Sequence, residues 1–171
     1  MLPIAGMLTA CFVLKDLKYA IFLWIGSIFV SLAIGGTVTN FFASLGFDDR
    51  MSSYNTTAYA NDFSHTGFRW DFLLYSSFPI LMGWYVCVKK KIKDDWYKTL
   101  CITYCLCNAF WVMVIRAAFS NRFAYLSWFM YPIIIAYPLI NLPVWDDQDR
   151  KTAQILLAYC GFTLFMQLIS W

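Results

Sequence analysis

The chain has 171 residues, of which 61% are hydrophobic and 20% aromatic, whereas only 13% are charged and the formal net charge is +3. Soluble globular domains carry about 25% charged residues, so this chain has too few polar side chains to cover a fold that is exposed to water. These numbers exclude a disordered chain and a nucleic-acid-binding arm, and they disfavour an ordinary soluble enzyme.

Long apolar runs predict an all-α, polytopic integral membrane bundle. A helix that crosses a bilayer needs about 20 mainly apolar residues. Five runs reach that length: Tyr19 to about Asn40, Trp70 to Val88, about Thr99 to Phe119, Phe123 to Leu142, and about Ala153 to Trp171.

A shorter apolar segment, Met1 to Leu14, precedes these runs. Its lysines come after the apolar residues, whereas a signal peptide begins with basic residues, so it resembles the second half of a helix. The sequence therefore predicts one transmembrane domain over residues 1–171, with about five transmembrane helices and an N-terminal partial span. We expect the chain to be the C-terminal half of a longer protein.

Lysines indicate the orientation of the predicted bundle. Five of the eight lysines lie in the segment from Lys89 to Lys98, between the second and third runs. Because Lys and Arg accumulate in cytoplasmic loops, this segment is predicted to be cytoplasmic. The segment from Phe41 to Arg69 and the turn from Ala117 to Asn121 are then expected outside.

Arginines follow the opposite distribution. Four of the five, Arg50, Arg69, Arg116 and Arg122, fall on or near the predicted outer face. A guanidinium group can hold a phosphate through two parallel hydrogen bonds. The pattern favours a site for a specific anion, and the alternative is snorkelling of these side chains to outer-leaflet headgroups.

The turn from Arg116 to Arg122 is the sharpest local feature. It joins the third and fourth runs, so its two guanidinium groups are expected close together, with Asn121 and Arg122 at the positive N-terminus of a helix. This arrangement predicts an anion site. Pairing of the arginines with Asp48, Asp49 or Asp62 is the alternative.

Three further polar residues are candidates for binding or catalysis. Asn108 lies eight residues before Arg116, so it either faces a substrate cavity or makes an interhelical hydrogen bond. The single histidine, His65, and Asp71 lie near the predicted outer arginines, where either could act as a general base. The alternatives are a solvated loop histidine and an ion pair between Asp71 and Arg69.

Neither a metal site nor a cofactor is predicted. Cys101, Cys105 and Cys107 lie in an apolar run, which is typical of small buried residues rather than zinc ligands. Three aspartates, Asp146, Asp147 and Asp149, adjoin Arg150 and Lys151, and this is typical of a solvated turn.

Four segments carry a resemblance to a known family. They are Gly67-Phe-Arg-Trp-Asp-Phe-Leu-Leu-Tyr75, Asn108-Ala-Phe-Trp111, Ile115-Arg116 and Ser120-Asn-Arg-Phe-Ala-Tyr125. The chain resembles, from about the second run to its C-terminus, the EpsG family of polytopic, Wzy-like proteins in bacterial exopolysaccharide and capsule assembly. Family members are longer and have more spans before this region.

The resemblance implies a multi-pass protein of the bacterial inner membrane that polymerises polyprenyl-pyrophosphate-linked oligosaccharides, with membrane lipids and other capsule-assembly proteins as further partners. It implies that arginines grip the pyrophosphate and that neighbouring polar residues bind substrate. Those positions are Arg69, Arg116, Arg122, Asn108, Asn121 and Tyr125. Asp71 or His65 would take the proton of the acceptor sugar hydroxyl, in a reaction similar to metal-independent inverting glycosyl transfer.

Two other functions fit the same sequence. A transporter or flippase for the lipid-linked glycan predicts a central cavity and charged residues at mid-membrane depth. A truncated, non-catalytic membrane subunit is the other alternative, and the partial first span favours it.

Overall fold

The computed structural model describes residues 2–44, 68–115 and 121–169, and all the regular structure in these ranges is helical. The elements are α1 (Leu2–Phe12), α2 (Leu17–Ser44), α3 (Trp70–Trp84), a π-helical turn (Tyr85–Lys89), α4 (Asp95–Met113), α5 (Asn121–Trp128), α6 (Tyr131–Asn141) and α7 (Gln148–Ile169). The all-α prediction is confirmed for these residues.

Three stretches of the described residues are long and apolar enough to cross a membrane: Leu17–Ile34, Trp70–Lys89 and Ala124–Asn141. The helices α4 and α7 have 19 and 22 residues but are not in this set. Both begin with charged residues, which lower the hydropathy of their first turns. The predicted number of five spans is therefore not confirmed.

The spans depart from single regular helices in three places. In α2, Ile34 has φ −134° and ψ 21°, which kinks the helix. The segment after α3 widens into a π-helical turn, in which the Lys90 amide donates to the Tyr85 carbonyl at 2.9 Å. The fourth predicted span is two helices, α5 and α6. Pro132 lies in the first turn of α6, where a backbone N–H would make no intrahelical hydrogen bond, so proline costs none there.

The central element of the bundle is α4, which packs against α1, α2, α3, α5 and α6. It begins where the Asp94 carboxylate accepts a hydrogen bond from the Tyr97 amide at 2.6 Å, a normal N-cap. Its buried residues include Cys101, Cys105 and Cys107, which confirms the buried role predicted for these three cysteines.

Glycines allow two helices to approach α4 closely. A Cβ atom added to Gly83 of α3 would lie 2.8 Å from Cys101 Sγ, and one added to Gly6 of α1 would lie 3.1 Å from Cys107 Sγ. Small residues at such crossings are typical of helix packing in membranes, where close backbone approach replaces the hydrophobic driving force.

Replacing Gly83 with alanine should lower the free energy of unfolding by about 1–2 kcal/mol, because overpacking outweighs the gain in helix propensity. Thermal unfolding of the purified chain in detergent measures the change. Gly26→Ala is the matched control, since nothing lies within 4 Å of its added Cβ. Equal stability of the two variants would contradict the close approach of α3 to α4.

The bundle exposes many large apolar side chains. Phe22 and Phe29 on α2, Ile140 on α6, and Leu157 and Leu168 on α7 are between 67% and 78% exposed. A protein in water rarely exposes apolar surface on every side, whereas a protein in lipid does so without cost. The exposed surface thus agrees with the apolar spans.

Candidate functional site

Arg69 and Asp71 form an ion pair at the start of α3. The Arg69 Nε donates to Asp71 Oδ1 at 3.0 Å, and Nη2 donates to Oδ2 at 2.6 Å, so both carboxylate oxygens are engaged. Asp71 lies in the first turn, where the helix dipole favours an anion. The hydrogen bond to Asp71 raises the pKa of the Arg69 guanidinium, which therefore stays a cation.

Aromatic contacts connect this ion pair to α5. The Arg69 guanidinium lies 4.0 Å from the centre of the Phe72 ring. Phe72 contacts Trp128 with ring centres 5.4 Å apart, and Trp128 contacts Tyr125 at 5.9 Å. Arg69, Asp71 and Tyr125, three of the predicted site residues, therefore lie at the same end of the bundle.

We call this region the arginine end, defined by Arg69, Asp71 and the start of α5. Asn121 and Arg122 begin α5, and Tyr125 follows one turn later with 64% of its surface exposed. The side chains of Asn121 and Arg122, and all of His65 and Arg116, lie outside the described residues. The joint anion site of Arg116 and Arg122 therefore stays a prediction.

Asn108 is fully buried and connects three helices. Its Oδ1 accepts a hydrogen bond from Trp24 Nε1 of α2 at 2.8 Å, and its Nδ2 donates to Ser127 Oγ of α5 at 3.0 Å. With both ends of the amide engaged, the side chain makes the interhelical hydrogen bonds that the sequence left as one of two alternatives. Its role in binding substrate stays a prediction.

Ser76 and Trp128 were not among the predicted site residues, although they organise the same region. Trp128 Nε1 donates to Ser76 Oγ at 2.8 Å, and the Tyr104 hydroxyl donates to the Ser76 carbonyl at 2.9 Å. These bonds hold α5 and α4 against α3 at a position five residues after Asp71. Ser76 lies seven residues before Gly83, and this spacing of small residues on one helical face could have identified it.

The described residues contain no group of three His, Cys, Asp or Glu side chains that could hold a metal ion. No family model, curated protein or solved structure matches the chain.

Proposed function

We propose that the chain takes part in polymerising polyprenyl-pyrophosphate-linked oligosaccharide repeat units in bacterial exopolysaccharide or capsule assembly. The reaction would be a glycosyl transfer at the outer face of the inner membrane. The EpsG resemblance supplies the reaction class, and its quoted segments include Arg69, Asp71 and the start of α5.

The observation that carries the proposal is the meeting of α3 and α5 at the arginine end. Two of the positions implied by the resemblance, Arg69 and Asp71, meet there with a third, Tyr125, which comes from a distant part of the chain. The Trp70–Lys89 stretch has 20 residues, so Arg69 and Lys89 lie about 30 Å apart at opposite ends of the bundle. This separation supports an outer arginine end opposite a cytoplasmic segment from Lys89 to Lys98, which we call the lysine loop.

The proposed topology adds α4 and α7 to the three apolar stretches, which gives five spans. In this arrangement α4 is shielded from lipid by its neighbours, so its spanning segment needs less hydropathy than a helix that faces lipid. The exposed leucines of α7 would contact lipid directly.

The proposed chemistry uses the two kinds of charged residue differently. The acceptor sugar hydroxyl attacks the anomeric carbon of the donor, a base takes the hydroxyl proton, and the bond to the pyrophosphate breaks. Negative charge develops on the leaving polyprenyl pyrophosphate, and arginines at the arginine end would stabilise it. Asp71 or His65 would be the base.

Among the described residues, the buried polar side chains are uncharged: Ser27, Ser31, Ser76, Thr103, Asn108 and Ser127. A flippase for an anionic lipid would be expected to carry charged residues along its path at mid-membrane depth. This distribution favours a site at the membrane surface over a transport path. The non-catalytic subunit remains the second proposal.

Reconstitution of the purified chain into vesicles with a lipid-linked repeat unit tests the proposal. We expect longer glycans to form and polyprenyl pyrophosphate to be released, both visible by gel electrophoresis and chromatography. Movement of the lipid across the bilayer without chain growth would indicate a flippase. Binding of polyprenyl pyrophosphate with neither activity would indicate an accessory subunit.

A further inference from the structure

An apolar groove lies between α3, α6 and α7, along the second half of α3 from Phe78 to the lysine loop. Its volume is about 570 Å³, and its lining includes Phe78, Met82, Tyr131, Ile135 and Phe162. Ligand pockets in proteins commonly measure about 300–1,000 Å³, so the groove has room for part of a lipid chain.

The groove exists because α7 approaches its neighbours mainly through aromatic side chains. Phe162 contacts Phe78 with ring centres 5.3 Å apart, and the Tyr159 hydroxyl hydrogen-bonds the Tyr75 hydroxyl at 2.8 Å. These large side chains hold α7 away from α3 and leave apolar space between the helices.

An aromatic pair lines the end of the groove that faces the lysine loop. The rings of Tyr85 and Trp145 stack with their centres 5.7 Å apart, and Trp145 Nε1 donates to the Tyr85 hydroxyl at 3.0 Å. Gln148 accepts from the Trp145 amide at 3.1 Å, which fixes the corner between α6 and α7. Such Tyr and Trp pairs are typical of the headgroup level of a bilayer.

Two exposed lysines lie at this mouth of the groove. Lys89 Nζ is 5.6 Å and Lys90 Nζ is 5.9 Å from the centre of the Tyr85 ring. The neighbouring lysines Lys91 and Lys93 instead line a separate, polar pocket together with Asp94 and Asp95. The groove therefore combines an apolar interior with two exposed cations beside its mouth, and neither forms an ion pair with a described residue.

We propose that this groove binds an anionic phospholipid, with an acyl chain between α3, α6 and α7 and the phosphate beside Lys89 and Lys90. A neutral lipid would fill the apolar space but would leave the two lysines without a counter-charge. The site is independent of the proposed glycan polymerisation, because it shares no residue with the arginine end.

Binding of phosphatidylglycerol and of phosphatidylcholine with the same acyl chains, measured by titration of the purified 171-residue chain in detergent, tests the proposal. The wild-type chain should prefer phosphatidylglycerol by roughly 30-fold, as expected for two lysines near a phosphate. The double variant Lys89→Gln, Lys90→Gln should lose this preference. The matched control Lys91→Gln, Lys93→Gln removes the same charge and should keep it.

Filling the groove tests the apolar half of the site. Ala158 lines the groove and is exposed, so Ala158→Trp should weaken binding of both lipids by about tenfold without disturbing the core. Ala153→Trp places the same bulk on an exposed position of α7 that does not line the groove, and it should bind as the wild type does.

Three results would overturn the proposal. They are equal affinity of the wild type for the two lipids, equal loss of preference in both lysine variants, and unchanged binding in Ala158→Trp. The lysine variants change exposed side chains only, so they remain informative if the tryptophan variant fails to fold.

Discussion

Replacing Arg122 with lysine should weaken binding of a polyprenyl pyrophosphate almost as much as replacing it with alanine. Lysine keeps the positive charge but loses the planar pair of donors that holds a phosphate through two hydrogen bonds. Loss of a charge-assisted hydrogen bond costs about 1.5–3 kcal/mol, which corresponds to a decrease in affinity of roughly 10- to 100-fold. Titration of each purified variant with undecaprenyl pyrophosphate measures this decrease in affinity.

Arg150 offers a matched control for these substitutions. It is exposed in the first turn of α7, on the side of the bundle that the lysine pattern predicts to be cytoplasmic. Arg150→Lys and Arg150→Ala should leave the affinity unchanged. Full affinity in Arg122→Lys would refute bidentate recognition, and full affinity in Arg122→Ala would remove Arg122 from the site.

The helices could be predicted from sequence because an apolar run of about 20 residues is compatible with few structures other than a membrane-spanning helix. The first residues of α2 and α3 lie within two residues of the first residues of the predicted runs. The start of α4 was placed four residues too late, because Asp94 and Asp95 lie outside the apolar run although Asp94 caps the helix. A capping residue is polar by nature, so hydropathy alone misses it.

The candidate site was predictable only in part, since its geometry depends on contacts between distant segments. The ion pair of Arg69 and Asp71 is local, and the sequence offered it as an alternative. The contact between Ser76 and Trp128 joins residues 52 positions apart, and no local pattern specifies it. Likewise, α5 ends at Trp128, the residue that hydrogen-bonds Ser76 of α3, and α6 begins at Tyr131. Hydropathy predicted one continuous span across this break.

Asp71→Asn should abolish glycan polymerisation if Asp71 is the base. Asparagine keeps the shape of the side chain and can still accept a hydrogen bond from Arg69, but it cannot take a proton from the acceptor hydroxyl. The measurement is polymer length in vesicles supplied with the lipid-linked repeat unit, with folding checked by gel filtration. His65→Gln is the matching test of the other candidate and should have the smaller effect.

The ion pair gives Asp71 a structural role that has to be separated from catalysis. The double variant Arg69→Asp, Asp71→Arg exchanges the two charges across the same pair. If the pair only fixes the start of α3, the exchanged pair should restore folding and polymerisation together. If Asp71 is the base or Arg69 binds the pyrophosphate, the exchanged chain should fold but form no polymer. Titration with undecaprenyl pyrophosphate separates the two roles, because only loss of the Arg69 contact lowers that affinity. Normal polymerisation by both Asp71→Asn and the exchanged chain would leave His65 as the remaining candidate, and loss of activity in His65→Gln alone would assign the base to it.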